Sequence, residues 1–222
     1  MSEREFTLYP ETACGSGAPI VIFHGFRDEA ETVRREMENF GCPPCVLAAV
    51  RIADWEQTLS PWEAPRVFRG ADDFGSGADR YIEELTGEIL PAVRRQSGSE
   101  GPCFIAGYSF AGLFALYSLY RTDAFSGAVS ASGSLWFPGF AEFSMSHPFC
   151  GHPERLYLSL GDRESHTRNE VMRTVGERTE LLYRYYQRLG ISCTFELNPG
   201  NHFQDPEKRM ARGITRILQR DS

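Results

Sequence analysis

The residues able to do chemistry fall at three places in this 222-residue chain. The first is Ser109, in Gly107-Tyr108-Ser109-Phe110-Ala111-Gly112. A serine hydroxyl is a weak nucleophile at neutral pH and needs a base beside it. Here it lies between Cys103–Ala106, a short apolar run of strand type, and Gly112–Tyr120, an apolar stretch rich in Leu and Ala that reads as a buried helix. A serine flanked by small residues two before and two after, at a strand-to-helix turn, is the sequence form of a nucleophile elbow. The turn is strained, so its neighbours must lack bulk, and Gly107 and Ala111 meet that need, although glycine is more usual at the second position. The N-terminus of the helix behind Ser109 favours negative charge developing there.

The second place is His202, one of five histidines (24, 147, 152, 166 and 202), in the loop after the last predicted strand. That loop opens at the same sheet edge as Ser109. The third is the pair Asp162 and Glu164, which follow the preceding strand and Gly161. A base must be oriented by a carboxylate. Glu164, three residues past the glycine, is the preferred partner of His202, with Asp162 as the alternative or as a residue that shapes the turn. Backbone N–H groups aimed at a developing oxyanion are expected from Phe110, just past the elbow, and from Phe26, just past the tight His24-Gly25 step. Trp62 and Trp136 are the candidate substrate-contacting residues. Trp55, Phe68, Phe137 and Phe140 are further candidates for the wall or for plain packing.

Other reactive groups carry less. Cys42-Pro43-Pro44-Cys45 has redox or zinc spacing, but it lacks a second pair and runs into a strand rather than opening a helix. Cys103 and Cys193 lie in predicted strands and read as small buried hydrophobes, with free thiols expected throughout. His147 and His152 sit in a Pro/Gly-rich loop without metal-ligand spacing. No metal or cofactor is expected.

The elements that must position these residues alternate along the chain. Strands are expected at 6–9, 19–23, 46–52, 103–106, 127–132, 156–160 and 191–197. Helices are expected at 28–40, 78–96, after the elbow, at 169–189 and at 206–220. The segment 78–96 places Tyr81, Ile82, Leu85, Ile89, Leu90 and Val93 at helical spacing. Between 54 and 77 lies a long irregular stretch with two tryptophans; large aromatics are scarce in disordered segments, so an ordered loop over the site is expected. This alternation predicts an α/β fold, a mostly parallel sheet with helices on both faces, and 222 residues suffice for a single domain spanning the chain. No repeat or linker is apparent.

Composition bounds the partners. Hydrophobic residues make up 41% and charged residues 24%, values ordinary for a soluble globular protein. The net charge of −7 argues against nucleic acid and anionic membrane as partners and leaves a neutral small molecule open. No segment approaches a membrane span, and Met1–Phe6 does not open a signal peptide, so a cytoplasmic location is expected.

Taken together, His24-Gly25-Phe26, Gly107–Leu116, Ser130–Trp136, Gly161–Glu164 and Gly200-Asn201-His202 make the chain resemble the esterase D-like branch of the α/β-hydrolases. That branch holds S-formylglutathione hydrolases, siderophore esterases of the enterochelin type and mycolyltransferases. The order Ser109, carboxylate, His202 is the chain order that this fold uses. The resemblance implies an α/β-hydrolase fold and a serine esterase acting on a small-molecule ester. Glutamate at the acid position is closer to the siderophore-esterase side, and the lack of a signal peptide weighs against mycolyltransferases. The same residues are compatible with an acyltransferase or thioesterase, and fold alone leaves a non-catalytic ligand binder open.

Overall fold

A computed structural model of the chain describes residues 6–10, 15–25, 29–67, 70 and 72–219. Strands β1 (Phe6–Tyr9), β2 (Ile20–His24), β3 (Val46–Val50), β4 (Cys103–Tyr108), β5 (Gly127–Ala131), β6 (Arg155–Gly161) and β7 (Ser192–Asn198) form one sheet. Their order is β1-β3-β2-β4-β5-β6-β7. β1 runs antiparallel to β3, and every other neighbouring pair is parallel. The helices are α1 (Ala30–Asn39), α2 (Trp55–Thr58), α3 (Ala78–Glu84), α4 (Leu90–Ser97), α5 (Phe110–Ser118), α6 (Phe140–Ser146), α7 (Val175–Arg188) and α8 (Pro206–Leu218).

The unbroken apolar runs of β2 and β4 follow from burial on both faces. Successive side chains of β2 point to opposite sides. Ile20 and Ile22 join the core under α3, α4 and α5, whereas Val21 and Phe23 join the core under α1 and α8. α1 buries Ala30, Val33 and Met37, a single stripe at helical spacing, and packs against α8. α5 differs: every one of its residues is buried, because it lies against β4 and β5 and is covered in turn by α2 and α3. The helix behind Ser109 is therefore fixed from all sides, and each of its large apolar side chains adds about 1.5–3 kcal/mol of burial.

The expected α/β layering, mostly parallel and helix-covered on both faces, is the observed one. Three stretches depart from the expectations in detail. The predicted helix 78–96 is divided, with a π-helical turn at Leu85–Ile89 between α3 and α4. Pro91 lies in the first turn of α4, where it has no N–H for a preceding carbonyl and its ring crowds that carbonyl, so a widened turn before it relieves the clash. The predicted helix 169–189 begins only at Val175, after a 3-10 turn, because the Asn169 side chain accepts the N–H groups of Val171 and Met172 and folds that stretch as a turn. The described residues of the stretch 54–77 are not wholly irregular: Asp54 caps α2 by accepting the Gln57 N–H, and Ala64 pairs with Phe74 in an antiparallel bridge. α6 is a helix that sequence reasoning did not anticipate.

Candidate active site

Ser109 sits between β4 and α5 with φ 55° and ψ −118°, a backbone region that L-residues rarely adopt. Hydrogen bonds hold it there. Its N–H donates to the Ala131 carbonyl at 3.0 Å, and its own carbonyl accepts from Gly112 at 3.0 Å, Leu113 at 3.2 Å and Ser134 at 3.0 Å. The small residues flanking it have one cause. A Cβ at Gly107 would overlap the backbone of Ala111 and come within 2.6 Å of the Ala111 Cβ. β4 and α5 thus touch across the turn, which leaves room for nothing larger.

His202 lies in the loop between β7 and α8. Its Nε2 is 3.0 Å from Ser109 Oγ, and its Nδ1 is 2.8 Å from Glu164 Oε2. The loop is tied at its backbone: the Tyr108 hydroxyl donates to the His202 carbonyl at 2.6 Å. Burial pushes the Tyr108 phenol up to about 12, so this donor keeps its proton at neutral pH. Glu164 Oε1 accepts from the Ser132 hydroxyl at 2.7 Å, the Gly161 N–H at 2.5 Å and Arg209 Nη1 at 3.0 Å. Burial raises the affinity of this carboxyl for its proton. Hydrogen bonding to His202, its charge, and the donors Gly161 and Ser132 outweigh that, and Glu164 is held below the ordinary carboxylate range. Asp162, the alternative acid, instead accepts the Gly200 N–H at 2.8 Å and pins the turn that carries the histidine loop.

The cleft above Ser109 has a volume of about 230 Å³. Its lining includes Ser109, His202 and Glu164, with Ser132, Ser134 and Glu56, and the apolar residues Trp55, Phe110, Trp136 and Met172. Ser134 Oγ is 3.4 Å from Ser109 Oγ. Phe110 opens α5, where helix geometry leaves the first N–H groups without an intrahelical acceptor, so its N–H is available at the strand edge. Phe26 and Phe68 lie outside the described residues. His24 is fully buried, with Nε2 2.7 Å from the Tyr81 hydroxyl. Among the described residues no group of three or more His, Cys, Asp or Glu side chains is placed to hold a metal ion, and no helix is long and apolar enough to cross a membrane.

Trp62 is displaced from its expected place. Its ring packs against Tyr117, Phe137 and Phe143, and its indole N–H donates to the Pro138 carbonyl at 3.0 Å. It anchors the loop to the body, while Trp55 from the same loop lines the cleft. Trp136 does line the cleft, whereas Phe137 and Phe140 are core residues. Sequence reasoning missed Arg209, Ser132, Ser134 and Met172. For Arg209 a signal existed: it falls on the apolar stripe of α8 with Met210, Ile214 and Ile217, where a charge needs a buried partner.

A second hollow, of about 240 Å³, lies at the opposite end of the strands and is lined in part by Tyr9, Arg34, Met37, Cys42 and Cys45. Both cysteines are free thiols. A hydrogen bond from Cys45 lowers the Cys42 thiol, burial opposes it, and Thr215 adds a further hydrogen bond; the net shift is downward.

The model of an esterase family described as "Putative esterase" matches residues 10–186. No curated protein matches the chain by sequence. Among solved structures, an IroE-like serine hydrolase from Shewanella oneidensis is 17% identical with a TM-score of 0.76, covering 97% of this chain and 75% of its own. The enterobactin esterase Fes from Shigella flexneri is 17% identical with a TM-score of 0.68; the match covers 96% of this chain but 55% of Fes, so the chain spans little more than half of that protein. The siderophore hydrolase EstB from Aspergillus nidulans is 17% identical with a TM-score of 0.63, covering 91% of this chain and 83% of its own. At these identities the likeness is one of fold, an α/β-hydrolase sheet. The family match spans most of the chain, elbow included, and this chain belongs to that esterase family of carboxylic ester hydrolases.

Proposed function

We propose that the protein hydrolyses a small carboxylic ester through an acyl-enzyme on Ser109, with His202 as general base and acid and Glu164 as the orienting carboxylate. The observation that carries this reading is the unbroken chain of contacts at a strained turn: Ser109 Oγ to His202 Nε2 at 3.0 Å and His202 Nδ1 to Glu164 at 2.8 Å.

Ser109 Oγ attacks the acyl carbon while its proton passes to His202 Nε2. Glu164 keeps Nδ1 protonated, so that Nε2 is the nitrogen with a free lone pair, and stabilises the imidazolium that forms. The N–H of Phe110 holds the oxyanion, with the N–H of Phe26 as the proposed second donor. His202 then gives its proton to the leaving alcohol. A water, deprotonated by the same nitrogen, releases the acid. The apolar wall of Trp55, Trp136, Phe110 and Met172 supports a compact, apolar or aromatic group on the ester, since few polar groups there would reward a charged one. The acidic composition is in keeping with a cytoplasmic enzyme acting on a free small molecule.

The test is labelling with a fluorophosphonate followed by mass mapping, beside hydrolysis of short-chain nitrophenyl esters. One adduct on Ser109, lost in His202→Ala, is the expected result. A folded, active protein labelled elsewhere would sink the assignment.

A further inference from the structure

Arg209 is the charge that the reaction above does not use. It is 2% exposed, and the Glu164 side chain beside it is 4% exposed. Burying a guanidinium is costly unless each of its donors finds an acceptor. Here they do. Nη1 reaches Glu164 Oε1 at 3.0 Å and Ser132 Oγ at 3.1 Å, and Nη2 reaches the Pro199 carbonyl at 3.1 Å and the Asn201 carbonyl at 2.9 Å. One planar group therefore spans the carboxylate and the two carbonyls that flank the turn into His202. α8 brings it there by unusually close docking: a Cβ at Gly213, one turn on from Arg209, would lie 2.6 Å from Val129 and 2.8 Å from Tyr157.

We propose that Arg209 is a positioning residue of this site, fixing Glu164 and the His202 loop as one unit and balancing the carboxylate's charge. The proposal rests on the reading of Ser109, His202 and Glu164 as the reacting set. The groups around them are Glu56 of α2 in the cleft lining, Tyr108 from β4, Ser132 after β5, Asp162 and the exposed Arg163 after β6, and Arg212 of α8 on the Asn198 side chain at 3.1 Å. Arg209 is the cation in contact with Glu164 among them. Without it the reacting set loses the buried cation that lies 3.0 Å from Glu164 Oε1, and the acid limb of the rate profile moves up. Lysine at this place restores a charge but lacks the fork that spans the carboxylate and the two loop carbonyls.

The experiment compares pH profiles of kcat and kcat/KM for Arg209→Met and Arg209→Lys, with folding checked by circular dichroism and Ser109 labelling run in parallel. For Arg209→Met, kcat falls about 100-fold with KM nearly unchanged, and the acid limb rises by about one pH unit. For Arg209→Lys, the limb stays in place and kcat falls about tenfold. Wild-type kcat in both variants overturns the proposal. So does an equal loss in both with no movement of the limb, which is the signature of packing alone. If Arg209→Met does not fold, Arg209→Lys decides: a kcat about tenfold lower with KM and melting temperature unchanged supports the clamp, and undiminished kcat, or a loss that comes with a lowered melting temperature, overturns it. Unlabelled Ser109 in the wild type removes the reacting set and the proposal together, whereas labelled Ser109 with unchanged variants removes the proposal only.

Discussion

Two hollows of nearly equal volume, about 230 and 240 Å³, sit at opposite ends of the same sheet. Both contain potential nucleophiles, Ser109 in one and the Cys42–Cys45 pair in the other. The difference lies in what surrounds them. At the carboxyl edge, Ser109 sits at the start of α5, and loops after β5, β6 and β7 bring hydroxyl, carboxylate and imidazole together. At the amino edge, Cys42 follows the end of α1, where its N–H donates back to the Met37 carbonyl at 3.0 Å and helix carbonyls face outward. The described residues lining that hollow include no histidine. A cavity with a nucleophile is therefore not yet a site. Parallel strands supply the rest only at the edge where their exit loops converge.

The sharpest way to break this comparison is to remove each nucleophile in turn. Ser109→Ala is expected to lose about 10⁴-fold or more in kcat, while the double variant Cys42→Ser/Cys45→Ser hydrolyses nitrophenyl esters at the wild-type rate. A crippled cysteine variant that is still folded would show that the amino edge takes part. Next in size is the carboxylate. Glu164→Gln should cost about 10³–10⁴-fold in kcat, as expected when the base loses the partner that fixes its tautomer. Asp162→Asn should lose far less and mainly lower the melting temperature. The reverse order in a kinetic assay would reassign the acid.

Stability supplies the third test. Gly107→Ala forces a Cβ into Ala111, and a loss of about 1–3 kcal/mol in denaturant unfolding is expected. An undamaged variant would mean that β4 and α5 need not touch. A fourth, smaller effect concerns pH. The Glu164 carboxyl binds its proton more weakly in the native protein than in the unfolded chain. Its stabilisation is complete above the unfolded value of about 4.3 and is lost as pH falls through the lower native value. Thermal melts from neutral to acid pH should therefore fall more steeply for the wild type than for Glu164→Gln. The smallest effects separate the two tryptophans. Trp136→Ala should raise KM for aryl esters several-fold, whereas Trp62→Ala should leave KM alone and lower the melting temperature. A KM effect at Trp62 would return it to the cleft.

Much of this was legible in the residues. The elbow announced itself because its constraint is local: Gly107, Ser109 and Ala111 are sequence neighbours, and the clash that demands their size arises within one turn. The parallel sheet was legible because strands buried on both faces must be apolar throughout. His202 was singled out because a histidine after the last strand must fall at the carboxyl edge. The π turn before Pro91 and the delayed start of α7 were less so, since each depends on one side chain's local competition with the helix.

What the sequence determined by itself, then, was the alternation of elements, the sheet edge at which chemistry could occur, and the residue types gathered there. Tertiary structure alone decided which carboxylate faces the imidazole, because Asp162 and Glu164 are two residues apart and only the path of the chain past Gly200 sends one to the loop backbone and the other to His202. It also decided which tryptophan meets the cleft, and that a lone arginine on the apolar stripe of α8 reaches Glu164. Periodicity records that a face is buried. What that face is buried against depends on how α8 docks on β5 and β6, contacts that join residues far apart in the chain.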